Sequence, residues 1–267
     1  MIESISSDHR ELFSDLYAML TEDEGNALLN SLEEIEAPID YFVHRQGEAN
    51  NALFFITKGK LRIGINKGGK RFFVKILFPG DIFGLETFFS SSNCTASIIS
   101  FVPTTLYRLD KANFQHLKTK YPGLEKKLKN FCHQVDTVSS HVQRKKMDRR
   151  EKKREPISGN AVVQFFSNSG NLVGDSIRVK LSDISIGGTS FIIKLSNEGK
   201  VDIMLGRKLL IQYRMNDVPF LEKIQKEGII VAIRPMKSGD ASFHLQFDQD
   251  LTDGDFSRIL SIGSTTH

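Results

Sequence analysis

The side chains best equipped for chemistry lie in two short runs, Arg150-Glu-Lys-Lys-Arg154 and, about thirty residues on, Asp183-Ile-Ser185-Ile-Gly187-Gly188. A guanidinium is planar and permanently charged, so two spaced arginines can fork hydrogen bonds onto a purine edge or a phosphate and stack on a base. The second run offers a carboxylate to accept from base N–H groups, a hydroxyl for a phosphate or base edge, and glycines that permit close backbone approach. Alone, Asp-x-Ser-x-x-Gly is a common strand-end turn whose side chains satisfy backbone groups. The basic stretch 143–154 is, alone, an ordinary solvated linker. In this order and at this separation the two runs read as one binding site for something anionic.

The pattern RxxxR followed by DxSxxG resembles the PilZ family of cyclic di-GMP receptor domains, over roughly the last 120 residues, from about Met147. The resemblance implies cyclic di-GMP as the ligand, no cofactor, and Arg150, Arg154, Asp183, Ser185 and Gly188 as the binding residues. Arg149 precedes the motif and is a further expected contact. The neighbouring Lys152 and Lys153 would favour the two bridging phosphates at a distance.

The elements that must position these residues are strands. Beyond Arg154, apolar runs at 161–166, 176–181, 189–194, 208–214, 228–235 and 241–247 predict six strands. Ile177, Val179 and Leu181 alternate with polar residues, as do Phe243, Leu245 and Phe247. A small antiparallel β-barrel is expected, PilZ-like in the sense of the resemblance. A final helix over 253–262 would cover one end with Phe256, Ile259 and Leu260. No recognition helix is visible, so a DNA-binding motif is not expected.

The first half is written differently. Thr21-Glu-Asp-Glu24 predicts a capping box at the start of a helix carrying Leu28, Leu29 and Leu32. Short strands then follow at 40–45, 52–57, 60–65, 71–78, 97–102 and 105–109, separated by glycine turns. The wording Gln46-Gly-Glu48, Leu53 through Gly59, and Phe78-Pro-Gly80-Asp81-Ile-Phe-Gly84 resembles the β-roll of the cyclic-nucleotide-binding and catabolite-activator superfamily. In that superfamily a glutamate holds the ribose hydroxyl and an arginine pairs with the cyclic phosphate. Here Leu85 and Cys94 occupy those positions, and Glu86 falls one place late, where a strand would turn it to the opposite face. A buried cyclic phosphate without its arginine loses a charge-assisted partner worth several kcal/mol, on the order of the whole affinity. Ordinary cAMP or cGMP binding is therefore not expected.

Between the halves, Leu124, Leu128, Phe131, Val135, Val138 and Val142 recur at spacings of four and three, which predicts a long connecting helix. The stripe can pack on its own β-roll or on a second copy. Its narrowness and its continuation past Val135 favour a homodimer seam over 124–142. The fold expected is mainly β with α: a β-roll with flanking helices over 1–145 ending in the dimer helix, and a barrel domain over 146–267.

With 267 residues, 40% hydrophobic and 25% charged, each half can bury a core. Cys94 and Cys132 lack metal-ligand or CxxC spacing, and the start of the chain lacks a basic, apolar leader, so a reducing cytoplasmic setting is expected. No run approaches membrane-spanning length. There is no P-loop, HExxH or G-x-S-x-G, so no enzymatic role is expected. The reading is a cyclic di-GMP receptor that passes a conformational signal to an unnamed downstream protein. The alternatives are a dual sensor that also binds cAMP or cGMP in the β-roll, and a nucleic-acid-binding regulator using the basic linker.

Overall fold

The computed structural model describes residues 8–90, 92–134, 153–194, 201–213, 224–236 and 239–263. The chain divides into two compact units, Met1–Ile65 with Val74–Met147, and Asn66–Phe73 with Asp148–His267. It is mainly β with some helices.

The first unit opens with helices α1 (Ser14–Ala18) and α2 (Glu22–Asn30). The capping box forms as the sequence predicts: Thr21 Oγ1 accepts from Glu24 N at 3.3 Å, and Glu24 Oε2 accepts from Thr21 N at 2.8 Å. Glu24 also binds Lys127 Nζ at 2.6 Å, which holds its carboxyl below the usual carboxylate range.

Eight strands follow: β1 (Leu32–Ala37), β2 (Phe42–His44), β3 (Ala52–Lys58), β4 (Leu61–Lys67), β5 (Lys70–Leu77), β6 (Ile82–Phe83), β7 (Ser97–Ser100) and β8 (Thr104–Asp110). They form one antiparallel sheet in the order β1-β8-β3-β6 and a second in the order β5-β4-β7-β2. The two sheets face each other, since the His44 ring on β2 packs on Phe83 at 5.5 Å and on Phe54 at 6.4 Å. A short helix α3 (Leu85–Phe88) follows β6, and α4 (Lys111–Lys120) and α5 (Leu124–Gln134) close the unit.

Helices and strands share one apolar core containing Phe13, Leu16, Leu28, Phe55, Leu109 and Phe114. Leu124, Leu128 and Phe131 are buried in that same core. The first half of the stripe expected to form a dimer seam is therefore used within its own unit. The rest of it, Val135, Val138 and Val142, lies outside the described residues.

One imidazole in this unit is fully buried, and a second, His44, is half-buried. His9 is fully buried among Phe13, Phe55, Tyr17 and Tyr107, with its Nδ1 3.1 Å from the Tyr17 hydroxyl. Burial, then the nearby Arg10 charge, pushes its pKa from 6.5 down to about 4, and burial does the same to His44. Both are neutral in the folded unit, whereas the unfolded chain takes up protons near pH 6.5. Their stabilising contribution is full above pH 6.5 and is lost progressively as pH falls toward 4. Thermal melts should show the first unit losing stability between pH 7 and pH 5, and His9→Leu should flatten that slope. An unchanged slope in the variant would remove His9 from the account.

The second unit is a closed barrel. Its strands are β9 (Glu155–Pro156), β10 (Asn160–Phe166), β11 (Leu172–Ser185), β12 (Gly188–Lys194), β13 (Lys208–Tyr213), β14 (Gln225–Pro235) and β15 (Asp240–Phe247). Six of them run antiparallel in the order β13-β10-β11-β12-β15-β14, and β14 returns to β13 to complete the circle. Phe191 and Phe243, direct partners across β12 and β15, stack inside it with ring centroids 5.7 Å apart. Helix α6 (Asp253–Gly263) follows, with Ile259 buried.

Strands β1 and β9 were not expected, and Leu32, expected on the preceding helix, opens β1; β11 also differs from expectation. β11 runs from Leu172, and Ile177 is exposed although it continues the apolar alternation of Val179 and Leu181. The cause is register: β12 pairs with β11 only from Lys180 onward, so nothing from β12 flanks the earlier residues.

Candidate functional site

The barrel places part of the predicted site on one row of its outer wall. Register aligns Pro156, Asp183, Ser190 and His244 across β9, β11, β12 and β15. Side chains alternate along a strand, so with Phe191 and Phe243 stacked inside, Ser190 and His244 point outward. Arg154, just ahead of β9, is thereby carried to the end of this row.

Its guanidinium closes the row. Arg154 Nη1 donates to Asp183 Oδ1 and, at 2.6 Å, to Ser190 Oγ. Ser190 Oγ lies 2.7 Å from His244 Nδ1. Arg154 and Asp183 keep side-chain exposures of 23% and 29%, so both remain within reach of a ligand from solvent. Ser190, although on the outer wall, is fully buried.

The predicted residues thus fall into three groups. Arg154 and Asp183 are brought together. Ser185 and Gly188 flank the two-residue turn between β11 and β12, where the Ser185 hydroxyl is buried and donates to the Gly188 carbonyl at 3.2 Å. Gly188 is closely backed by β15: a Cβ there would lie 2.3 Å from the Leu245 carbonyl oxygen. The turn carbonyls of Ile186 and Gly187 accept from Leu251 N at 2.8 Å and Phe247 N at 3.0 Å. Arg149 and Arg150 lie outside the described residues. The adjacent Lys153 pairs with Glu155 at 2.7 Å.

Sequence reasoning missed Ser190 and His244. No motif contains them, and only the strand register joins them to Asp183. The available signal was parity, since each stands beside a phenylalanine that the alternation turns inward.

The corresponding region of the first unit begins at Gly84, whose positive φ of 91° caps α3; a Cβ there would lie 2.5 Å from the Ala52 carbonyl oxygen. Asn50 Nδ2 donates to Thr87 Oγ1 at 2.8 Å and to Ala52 O at 2.8 Å, fixing the turn. Leu85 belongs to the apolar core. Glu86 is helical rather than extended, which corrects the strand geometry expected for it; its carboxylate accepts from Thr95 Oγ1 at 3.5 Å. Cys94 is buried, and its backbone joins Glu48 O at 2.9 Å and Gly47 N at 2.8 Å. Burial, with the Glu48 charge adding to it, pushes its thiol pKa up, so the group stays neutral. Neither Leu85 nor Cys94 thus carries a charge at its position.

Comparison with known proteins bears on the first unit. Residues 35–121 match the family model described as the cyclic nucleotide-binding domain. The neuropathy target esterase sws of Drosophila willistoni is 26% identical over 121 residues, which are 41% of this chain and 8% of that protein. Its Drosophila melanogaster counterpart is 25% identical over the same shares. The chain thus spans only a small part of the curated relatives it matches. Among solved structures, the catabolite activator protein of Thermus thermophilus aligns with a TM-score of 0.41 and 20% identity, over 49% of this chain and 60% of that one. A cyclic nucleotide-binding domain from Methylobacillus flagellatus aligns with a TM-score of 0.46 and 18% identity, over 53% and 80%.

Proposed function

We propose, from the premise that residues 35–121 form a cyclic nucleotide-binding domain, that the chain is a nucleotide-responsive regulator whose effector site is the outer row of the barrel and whose effector is cyclic di-GMP. The single observation that carries this reading is the meeting of Arg154 with Asp183 on an accessible barrel wall, 29 positions apart in sequence. Arg154 supplies a forked donor for guanine O6 and N7 or for a phosphate, and Asp183 accepts from the guanine N–H groups. Arg150, by the RxxxR resemblance, supplies a second guanidinium. The homodimer expected from the stripe 124–142 would draw on Val135, Val138 and Val142.

Calorimetric titration with cyclic di-GMP tests this. Wild-type protein should give saturable heat, and Arg150→Ala and Arg154→Ala should each weaken binding by about tenfold or more, the size of a lost charge-assisted bond. Unchanged heats in both variants would sink the assigned site. Affinity that instead falls steeply with salt for any nucleic acid, independently of Asp183, would favour a nucleic-acid binder.

The family match favours a second reading, in which the first unit also binds a cyclic mononucleotide. The neutral Leu85 and Cys94 oppose it, because the phosphate would be buried without a cation. Neither cAMP nor cGMP at millimolar concentration should raise the melting temperature of the first unit. A clear, saturable rise with either would establish the dual sensor.

A further inference from the structure

We propose that Ser190 and His244 are positioning residues for ligand binding, holding Arg154 on the barrel wall at the place from which it grips the dinucleotide. This rests on the cyclic di-GMP reading.

Donor counts fix the first of these hydrogen bonds. A guanidinium has only donors, so at 2.6 Å the Ser190 oxygen must accept from Arg154 Nη1. The single hydroxyl hydrogen of Ser190 is then free to turn to His244 Nδ1 at 2.7 Å. In the proposed arrangement it does so, with Nδ1 accepting and the imidazole hydrogen on Nε2. The proposed chain thus runs from Arg154 to Ser190 to His244. Strand register supports it at every step, since Asp183 faces Ser190 and Ser190 faces His244.

The second acceptor has a use that Asp183 cannot fill. Arg154 Nη1 is shared between Asp183 and Ser190. When Asp183 turns to a guanine N–H group, its hold on the guanidinium weakens. Ser190, buried and backed by His244, is the acceptor that Arg154 keeps. Without it the arginine is released to its many solvent rotamers, and their entropy opposes binding.

A double-mutant cycle on the full chain, read by cyclic di-GMP affinity, decides the matter. Ser190→Ala should weaken binding about tenfold, and Ser190→Thr, which keeps the hydroxyl, should restore it to within about threefold of wild type. In an Arg154→Ala background the Ser190→Ala effect should shrink to under about twofold, because its route to the ligand is gone. Nitrogen-15 spectra of the ligand-free protein should show His244 as the Nε2–H tautomer, and Ser190→Ala should admit the other tautomer. Wild-type protein that does not bind cyclic di-GMP would overturn the functional reading, while the tautomer would still report on the hydrogen-bond chain. Wild-type binding with an undiminished Ser190→Ala effect in the Arg154→Ala background, or with no effect at all, would overturn the positioning role alone.

Discussion

Asp183→Ala is expected to weaken cyclic di-GMP binding by about 30-fold or more while leaving the stability of the barrel within ~1 kcal/mol of wild type. The two halves of this expectation have separate causes. The side chain of Asp183 meets Arg154 where both are partly exposed, and a pair of that kind contributes little to folding. Its backbone carbonyl, which accepts from Thr189 Oγ1 at 2.8 Å, is untouched by the substitution. Removal does free Arg154 from its resting partner, which by itself would help a ligand compete for the guanidinium. The loss of the Asp183 carboxylate outweighs that gain, because a guanine N–H left facing alanine is desolvated without a partner. Calorimetric titration and a thermal melt on the same sample check both halves. A barrel that melts much lower, with affinity little changed, would show Asp183 to be a turn residue and no ligand contact.

Gly188→Val is expected to behave in the opposite way. A Cβ at this position would stand 2.3 Å from the backbone oxygen of Leu245, so β12 and β15 would have to separate or twist. Backbone cannot yield as a flexible side chain can. Rearranging a packed wall costs about 3 kcal/mol or more, which lowers the melting temperature of a unit this size by roughly 10 °C or more. The residue lies in the DxSxxG run, and any loss of ligand binding in Gly188→Val should follow the unfolding of the barrel, as circular dichroism against temperature would show. A variant that melts normally yet fails to bind would return Gly188 to the contacts of the ligand itself.

These two expectations also show how much of the site the sequence disclosed. Arg154 and Asp183 were legible because their two runs stand in an order and at a separation that read as one binding site. The roles within the second run were less legible. Asp183, Ser185 and Gly188 share one motif, yet Asp183 faces the arginine, Ser185 is buried against its own turn, and Gly188 is shaped by a neighbouring strand. Motif spacing gives order along the chain, and only the β-ladder gives the face each residue presents. Ser190 and His244 lie 54 positions apart and meet through that ladder alone. The six barrel strands were visible as runs of alternating apolar residues, since Phe243, Leu245 and Phe247 must share an inner face. The length of β11 was not, because Ile177 carries the alternation where β12 no longer flanks it.

In the first unit the glycine turns carried the fold into the sequence. Gly84 at φ 91° and Gly59 at φ 85° both stand where a Cβ would strike backbone, at Ala52 O and at Pro103 O. The apolar stripe of α5 could not be assigned from its spacing. The same leucines satisfy an intramolecular core or a second chain, and only the core they share with residues such as Leu16, Leu28, Phe55 and Phe114 decides for Leu124 and Leu128.

The most direct test of the central claim is a crystal structure of the full chain grown with cyclic di-GMP. The dinucleotide should lie on the outer barrel row, with a guanine edge on Asp183 and the Arg154 guanidinium on the ligand while still bonded to Ser190. A dinucleotide seated between the two sheets of the first unit, or crystals in which the barrel row binds nothing at saturating ligand, would contradict it.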